Sequence, residues 1–381
     1  MIFQFLVPIS LAVCIVFAWG AYTLPFSSKG KCFFFALNVF GLAYIIPIGP
    51  FLDPARYLPY PLVLGLALLS AFAFFYFWIK IMQIGIAIIL FIISIWYKKI
   101  KSIRNAAFTS CKVNILLISL CLITAPYSVY ETTKVPRVKH VTLKYETLPN
   151  ELENYTIALL TDTHTGLIFQ EKWQENVVRK IMETKPQLIV HTGDIGDVKP
   201  QDIKKHLAPL KNLSAPDGVY YVFGNHENYH TLAYWQNFFK ENNLNVLENE
   251  AIQIHEYLSL TGASLRLRNF PADTAELLKT IPTQGFKIFL DHYPASFRKT
   301  APHIDLQLSG HTHGGTVFFL APVVKKFNAG FVSGIYEQNK AKLYVSSGTG
   351  IWTYTAFRLF VPSEITLIHL TGNDNRGHEN R

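Results

Sequence analysis

The sequence predicts an α/β fold preceded by an N-terminal transmembrane helical region. Three observations predict it. Apolar residues pile up in the first third of the 381-residue chain. From about residue 140, short apolar runs alternate with polar stretches of helical pattern. Five of those runs end in Asp, Asn or His, and in α/β folds ligands collect at the carboxyl edge of a sheet.

The first third comes first in order. Residues 2–22 and 33–52 form apolar runs without a charge, each near the roughly 20 residues that span a bilayer. No basic residue precedes the first run, so it reads as a retained span rather than a signal peptide. Residues 61–97 form one long apolar stretch, interrupted by Lys80 and Gln83. It is too long for a single span. It divides either into two spans, 61–79 and 81–97, with a turn at Lys80, or into one span and an interfacial helix. Residues 113–129 form the last apolar segment. Four or five spans are expected, making a multi-pass membrane anchor. Membranes seldom bury ionisable residues without a function, and Lys80 is the one strong candidate, so residues 1–130 read as a plain anchor in contact with lipid.

Charge supports this division. Residues 1–130 carry nine bases and one acid, Asp53, whereas residues 131–381 carry 26 bases and 25 acids. The net charge of +9 therefore belongs to the anchor. The remainder lacks the basic surplus of a nucleic-acid binder, and no nucleic-acid partner is expected. The most basic loop, 98–112, holds Lys98, Lys99, Lys101, Arg104 and Lys112 and no acid. The positive-inside rule places it in the cytoplasm. One further span then puts the C-terminal domain outside, in the periplasm or extracellular space. All four cysteines lie in the apolar third, leaving no thiolate ligand beyond it.

After an expected linker, 131–150, the second domain runs over 151–370, with a polar tail at 371–381. YTIALLT (155–161) reads as a buried strand ending at Asp162 and His164. EKWQENVVRKIMET (171–184) reads as an amphipathic helix. QLIVHT (187–192) is a strand ending in Gly193-Asp194, and a helix is expected near 200–211. GVYYVF (218–223) leads into Gly224-Asn225-His226-Glu227. FKIFL (286–290) ends at Asp291-His292, and IDLQLS (304–309) ends at Gly310-His311-Thr312-His313.

Alone, Asp-x-His or Gly-Asp is a common turn pattern. Together, the Asp, Asn and His residues are donors for borderline divalent metals. Seven are too many for one tetrahedral site. They suit two metals about 3.5–4 Å apart, an arrangement that clamps the oxygens of an in-line displacement at phosphorus. The glycines beside His311 and His313 let backbone come close to the ions.

In this order the blocks resemble the signature of the calcineurin-like metallophosphoesterases, and the likeness extends over about 155–370. It implies two packed mixed β-sheets flanked by helices. It implies that Asp162, His164 and His313 bind one metal, that Asn225, His292 and His311 bind the other, and that Asp194 bridges them. His226 would serve the leaving group, with Asp197 holding its ring. The metals would be drawn from Mn, Fe, Zn, Mg and Ni. A hydroxide bridging them would attack a phosphoester, with phosphodiester and pyrophosphate substrates favoured and lipid-linked esters among the candidates. A finer likeness to a bacterial membrane-associated branch rests on Gly314-Gly315 and on the segment 343–368. In that branch Arg358 would either contact substrate phosphate or make an ion pair within the fold. Asp291 is a partner of the adjacent ligand or an acid at a strand edge. A phosphomonoesterase is the alternative within the superfamily. The protein-phosphatase motif would need valine and arginine where Gly196 and Val198 stand. A membrane sensor or transporter with an auxiliary metal domain is the alternative outside it.

Overall fold

Two six-stranded mixed sheets form the body of residues 131–372. The computed structural model describes residues 13–45, 58–97, 100–229, 232–264 and 276–372. The chain divides into two compact units, residues 1–130 with Tyr354–Phe357, and 131–353 with 358–381.

Among the described residues of the first unit, two helices are long and apolar enough to cross a membrane, Tyr60–Trp96 and Cys111–Thr133. A shorter apolar helix covers Val13–Tyr22, and another helix covers Ser28–Ile45. The start of the expected run 2–22 and the end of 33–52 lie outside the described residues. The 37-residue helix Tyr60–Trp96 is continuous, so there is no turn at Lys80. At 1.5 Å per residue it extends about 55 Å, well beyond a hydrocarbon core of about 30 Å. Lys80 is buried. Its Nζ donates to Gln83 Oε1 at 3.0 Å and to Asn114 Oδ1 at 2.5 Å. A carbonyl from the helix Cys111–Thr133 thus provides the polar contact that would otherwise require an interface. The basic stretch 98–112 contains a short helix, Ile100–Thr109.

In the second unit the strands are β1 Arg137–Tyr145, β2 Thr156–Leu160, β3 Leu188–Thr192, β4 Val219–Val222, β5 Asn245–Val246, β6 Glu250–His255, β7 Leu258–Ala263, β8 Phe286–Asp291, β9 Leu306–Ser309, β10 Gly334–Gln338, β11 Ala341–Val345 and β12 Glu364–Gly372. One sheet runs β1-β12-β2-β3-β4-β5 and the other β10-β11-β9-β8-β7-β6. β2, β3, β4 and β5 are mutually parallel, as are β7, β8, β9 and β11. Strands buried on both faces read as continuous apolar runs. β3, Leu188–Thr192, is buried along its whole length, its last two polar residues included. Leu159, Val190, Leu260, Ile288, Leu308 and Ile368 belong to the apolar core built from both sheets.

The stretch expected as a linker carries β1, which pairs in parallel with β12 from Arg137↔Glu364 to Tyr145↔Gly372. Its alternating burial hid it in a region read as polar. The helix expected near 200–211 is broken into a 3₁₀ turn, Pro200–Asp202, a helical turn, Lys204–Leu207, and a second 3₁₀ stretch, Ala208–Asn212. Pro200 and Pro209 lack the N–H groups that a continuous helix needs. The amphipathic helix forms over Glu171–Glu183 and buries Trp173, Val177 and Ile181 at fourfold spacing. It stops just before Pro186, which disfavours helical backbone at the residue ahead of it.

Candidate metal centre

The carboxyl ends of β2, β3, β4, β8 and β9 deliver their side chains to one place. His164 Nε2 stands 3.2 Å from His313 Nε2, and His313 Nε2 is 3.4 Å from Asp162 Oδ1. On the other side of Asp194, His292 Nε2 lies 3.2 Å from Asp194 Oδ2 and 3.0 Å from Asn225 Oδ1. His311 Nδ1 is 3.2 Å from the same His292 nitrogen. Asp194 Oδ2 also faces His164 Nε2 at 3.8 Å. Asp162 with His164 and His313, and Asp194 with His292 and His311, each gather donors close enough to share one ion. His226 joins a third such group with His164 and Asp194.

The backbone is bent to make this possible. Asp162, His164, Asp194, His311 and His313 all have positive φ, between 45° and 70°. Non-glycine residues seldom adopt this region, and each instance costs on the order of 1–3 kcal/mol. Neighbouring loops hold them there. Asp162 N donates to Gly193 O at 2.9 Å, His164 N to Asp194 O at 3.0 Å, and Gly350 N to Asp162 O at 2.9 Å. A side chain at Gly310 would collide with Thr161 and Asp162, so glycine is needed there for close approach.

Similarity to known proteins points the same way. Residues 155–315 match the calcineurin-like phosphoesterase family. An uncharacterised metallophosphoesterase of Campylobacter jejuni is 33% identical over 272 residues, covering 68% of this chain and 70% of that protein. One from Aquifex aeolicus is 32% identical over 263 residues, covering 67% of this chain and 99% of the relative. The chain belongs to the calcineurin-like metallophosphoesterases. It is a metal-dependent phosphoester hydrolase. A Danio rerio relative, described as a transmembrane protein with a metallophosphoesterase domain, is 27% identical over 278 residues, covering 68% of this chain and 63% of its own. In this chain, among the described residues, two helices are long and apolar enough to cross a membrane.

The donor set fits the divalent metals that the family uses. His164 Nδ1 is held by Asp197 Oδ1 at 2.6 Å, and His292 Nδ1 donates to Thr192 O at 2.9 Å. Each anchored ring therefore turns its other nitrogen inward, as outer partners of metal-binding histidines do. Burial, reinforced by His292, lowers His311 to about 3. Burial, with His164 and Arg358 nearby, holds His313 well below its ordinary value. Both rings are neutral donors. Burial would raise Asp194, but His292, His226 and His164 together hold it well below the usual carboxylate range. Burial pushes Asp162 up, and Asp194 adds to that push while His292 opposes it. A cation between the two acids would keep both ionised.

His226 sits beside this cluster with Nδ1 3.0 Å from Asp197 Oδ1 and Nε2 3.9 Å from Asp194 Oδ2. Burial disfavours its charge, but Asp194 and Asp197 raise its pKa to about 9. Asp197 therefore serves two rings, His164 as well as His226. Burial would raise it too, yet those two histidines take it far below the normal carboxylate range.

Two residues of the site escape sequence reasoning. Glu227 accepts from Asp194 N and Gly224 N through one oxygen, and from Ile195 N and Gly196 N through the other. Its place directly after His226 was the available signal. Thr353 holds Asp197 Oδ2 through its amide at 3.0 Å and its hydroxyl at 2.7 Å, and nothing in its sequence surroundings marks it. Arg358 serves the fold around His313. It is fully buried, and its guanidinium donates to the carbonyls of His313, Val361, Ser347 and Gly350. Asp291 caps its own turn by accepting from Tyr293 N at 3.0 Å.

Proposed function

We propose that this hydrolase is a membrane-anchored dinuclear enzyme cleaving phosphodiesters or pyrophosphates. In this reading Asp162, His164 and His313 hold one cation, and Asn225, His292 and His311 hold the second. Asp194 lies between the two sets. The observation that carries the reading is the placement of Asp194, which reaches donors of both sets through one oxygen. Two divalent cations supply Lewis acidity and an activated water when bound. The chain's own residues set the geometry. Asp194 Oδ1 accepts from His226 N at 2.9 Å, which fixes the spacing between His226 and the cluster. His226, its Nδ1 on Asp197, offers Nε2 to the departing oxygen as proton donor.

The basic segment 98–112 supports a multi-pass anchor in a bacterial inner membrane with the hydrolase unit outside. Lipid-linked esters are then a natural substrate class.

The test uses the full chain in detergent with Mn²⁺ and bis(p-nitrophenyl) phosphate. His226→Ala should lower kcat by about 10²-fold or more, the scale of a general acid. Asp194→Asn should abolish turnover and reduce bound metal. Wild-type turnover by either variant would overturn the assignment. A preference for p-nitrophenyl phosphate over the diester would overturn the substrate class.

A further inference from the structure

The turn that carries His313 runs straight into an exposed apolar rim. Val317 and Leu359 pair in a short parallel bridge. Phe318 N donates to Leu359 O at 3.1 Å, and Leu359 N to Thr316 O at 3.2 Å. This clasp sets the Phe318 and Phe360 rings 5.6 Å apart. Neither ring is covered: Phe318 is 51% exposed and Phe360 73%. Phe360 also has φ of 57°, an unfavourable conformation for a bulky residue. The strain supports a side chain that the fold itself leaves in the open. The helix Ala321–Phe327 follows at once, with Val323 51% and Phe327 80% exposed.

Single exposed apolar residues are ordinary, but a run of them beside a site marks an interaction surface. Charge selects the occupant. Lys325 and Lys326 immediately precede Phe327, and there is no acid between Asp305 and Glu337. A second copy would bring these lysines against their own kind in a two-fold contact. A bilayer with anionic lipids would pair with them, while the phenylalanines enter the boundary between headgroups and acyl chains. The same chain carries, among its described residues, two helices long and apolar enough to cross a membrane.

We propose that Phe318, Val323, Phe327 and Phe360, with Lys325 and Lys326, dock the rim of the metal centre on a bilayer surface carrying anionic lipid. The enzyme then draws phosphoesters anchored in that surface directly to the cluster. The second statement rests on the hydrolase reading above; the docking itself does not.

The test is made on the full chain in vesicles of phosphatidylcholine and phosphatidylglycerol. Cys14, Cys32, Cys111 and Cys121 are replaced by serine, and turnover of bis(p-nitrophenyl) phosphate verifies that background. An environment-sensitive dye is placed at Phe327→Cys or, as a control, at the exposed Lys211→Cys. The dye at 327 should shift to the blue and be quenched by shallow spin-labelled lipid, less so without phosphatidylglycerol, while the control stays unquenched. An unquenched dye at 327 overturns the proposal. So does energy transfer between copies labelled at 327 in place of quenching, which would make the rim a self-association surface. In parallel, a variant with Phe318, Phe327 and Phe360 all changed to serine is assayed. It should lose about tenfold or more on a vesicle-embedded nitrophenyl phosphodiester of diacylglycerol, yet keep its kcat/KM on the soluble diester within about twofold. Equal effects on both substrates overturn direct delivery from the surface. A wild-type chain inert on both substrates refutes the hydrolase reading, and the quenching still decides docking.

Discussion

His191 lies fully buried in β3 with Nε2 3.0 Å from Thr163 Oγ1. The Thr163 hydroxyl already donates to Ile195 O at 3.0 Å. Its oxygen must therefore accept, and His191 is the neutral ring protonated on Nε2. Nδ1 meets no partner among the described residues. Burial, and then the nearby His292, lowers its pKa to about 3 from 6.5. The sign follows from which state takes the proton. Between pH 6.5 and about 3 the unfolded chain binds a proton that the folded chain refuses. The stability contributed by neutral His191 is thus complete above pH 6.5 and falls as pH drops through that window, by up to about 1.4 kcal/mol per pH unit. His191→Gln, which keeps a donor toward Thr163, should flatten that fall. Thermal melts of both chains from pH 7 to pH 4 would show it; parallel curves would remove His191 from the acid response. His191 belongs to none of the strand-end motifs, and the structure puts it in the core.

At the scale of elements, the site is a set of loops pinned to one another, and Glu227 does much of the pinning. It follows β4 yet accepts four backbone N–H groups, three of them from the loop after β3. Glu227→Gln keeps the shape, but its amide nitrogen would face donors. Each buried N–H left unpaired costs about 1–3 kcal/mol. The variant should melt lower and bind less Mn²⁺ per chain, with kcat falling along with metal content. Normal metal content and a wild-type Tm would show that the loop is held by other means. The strand-end motifs were legible because an apolar run followed by Asp, Asn or His is a one-dimensional pattern. β1 was not, because its partner β12 lies more than 200 positions away and its outer face is polar. Thr353 was invisible for the same reason: its link to Asp197 spans 156 positions. Lys80 was visible as a charge, but nothing in the sequence marks Asn114, 34 positions on, as its partner. Arg358 was visible too, but sequence cannot say whether a guanidinium will meet phosphate or backbone carbonyls.

Across the whole molecule, every donor proposed for the two cations follows residue 161, and among the described residues no metal-binding group lies in 1–130. Metal binding should therefore stabilise one unit selectively. A ligand that binds only the folded state adds RT ln(1 + [L]/Kd), about 2.7 kcal/mol at a hundredfold excess over Kd. The site gives a reason to expect a large share of that to appear locally. Five donors sit at left-handed backbone positions, and the buried Asp162 and Asp194 crowd each other. Without cations, strain and repulsion act on the same loops; with them, the repulsion becomes attraction. Hydrogen exchange reads each unit separately, so it is the better measure of a local effect. Adding Mn²⁺ to EDTA-treated protein should slow exchange in peptides covering 162–166, 193–197, 224–228 and 310–316, and leave the helix Tyr60–Trp96 unchanged. Asp194→Asn should erase most of the gain in all four loops at once, since its carboxylate reaches both halves of the site. Protection confined to 162–166 and 310–316 in that variant would mean that the first cation binds without the bridge. Protection in none of the four loops of the wild-type protein would remove the case for a dinuclear centre.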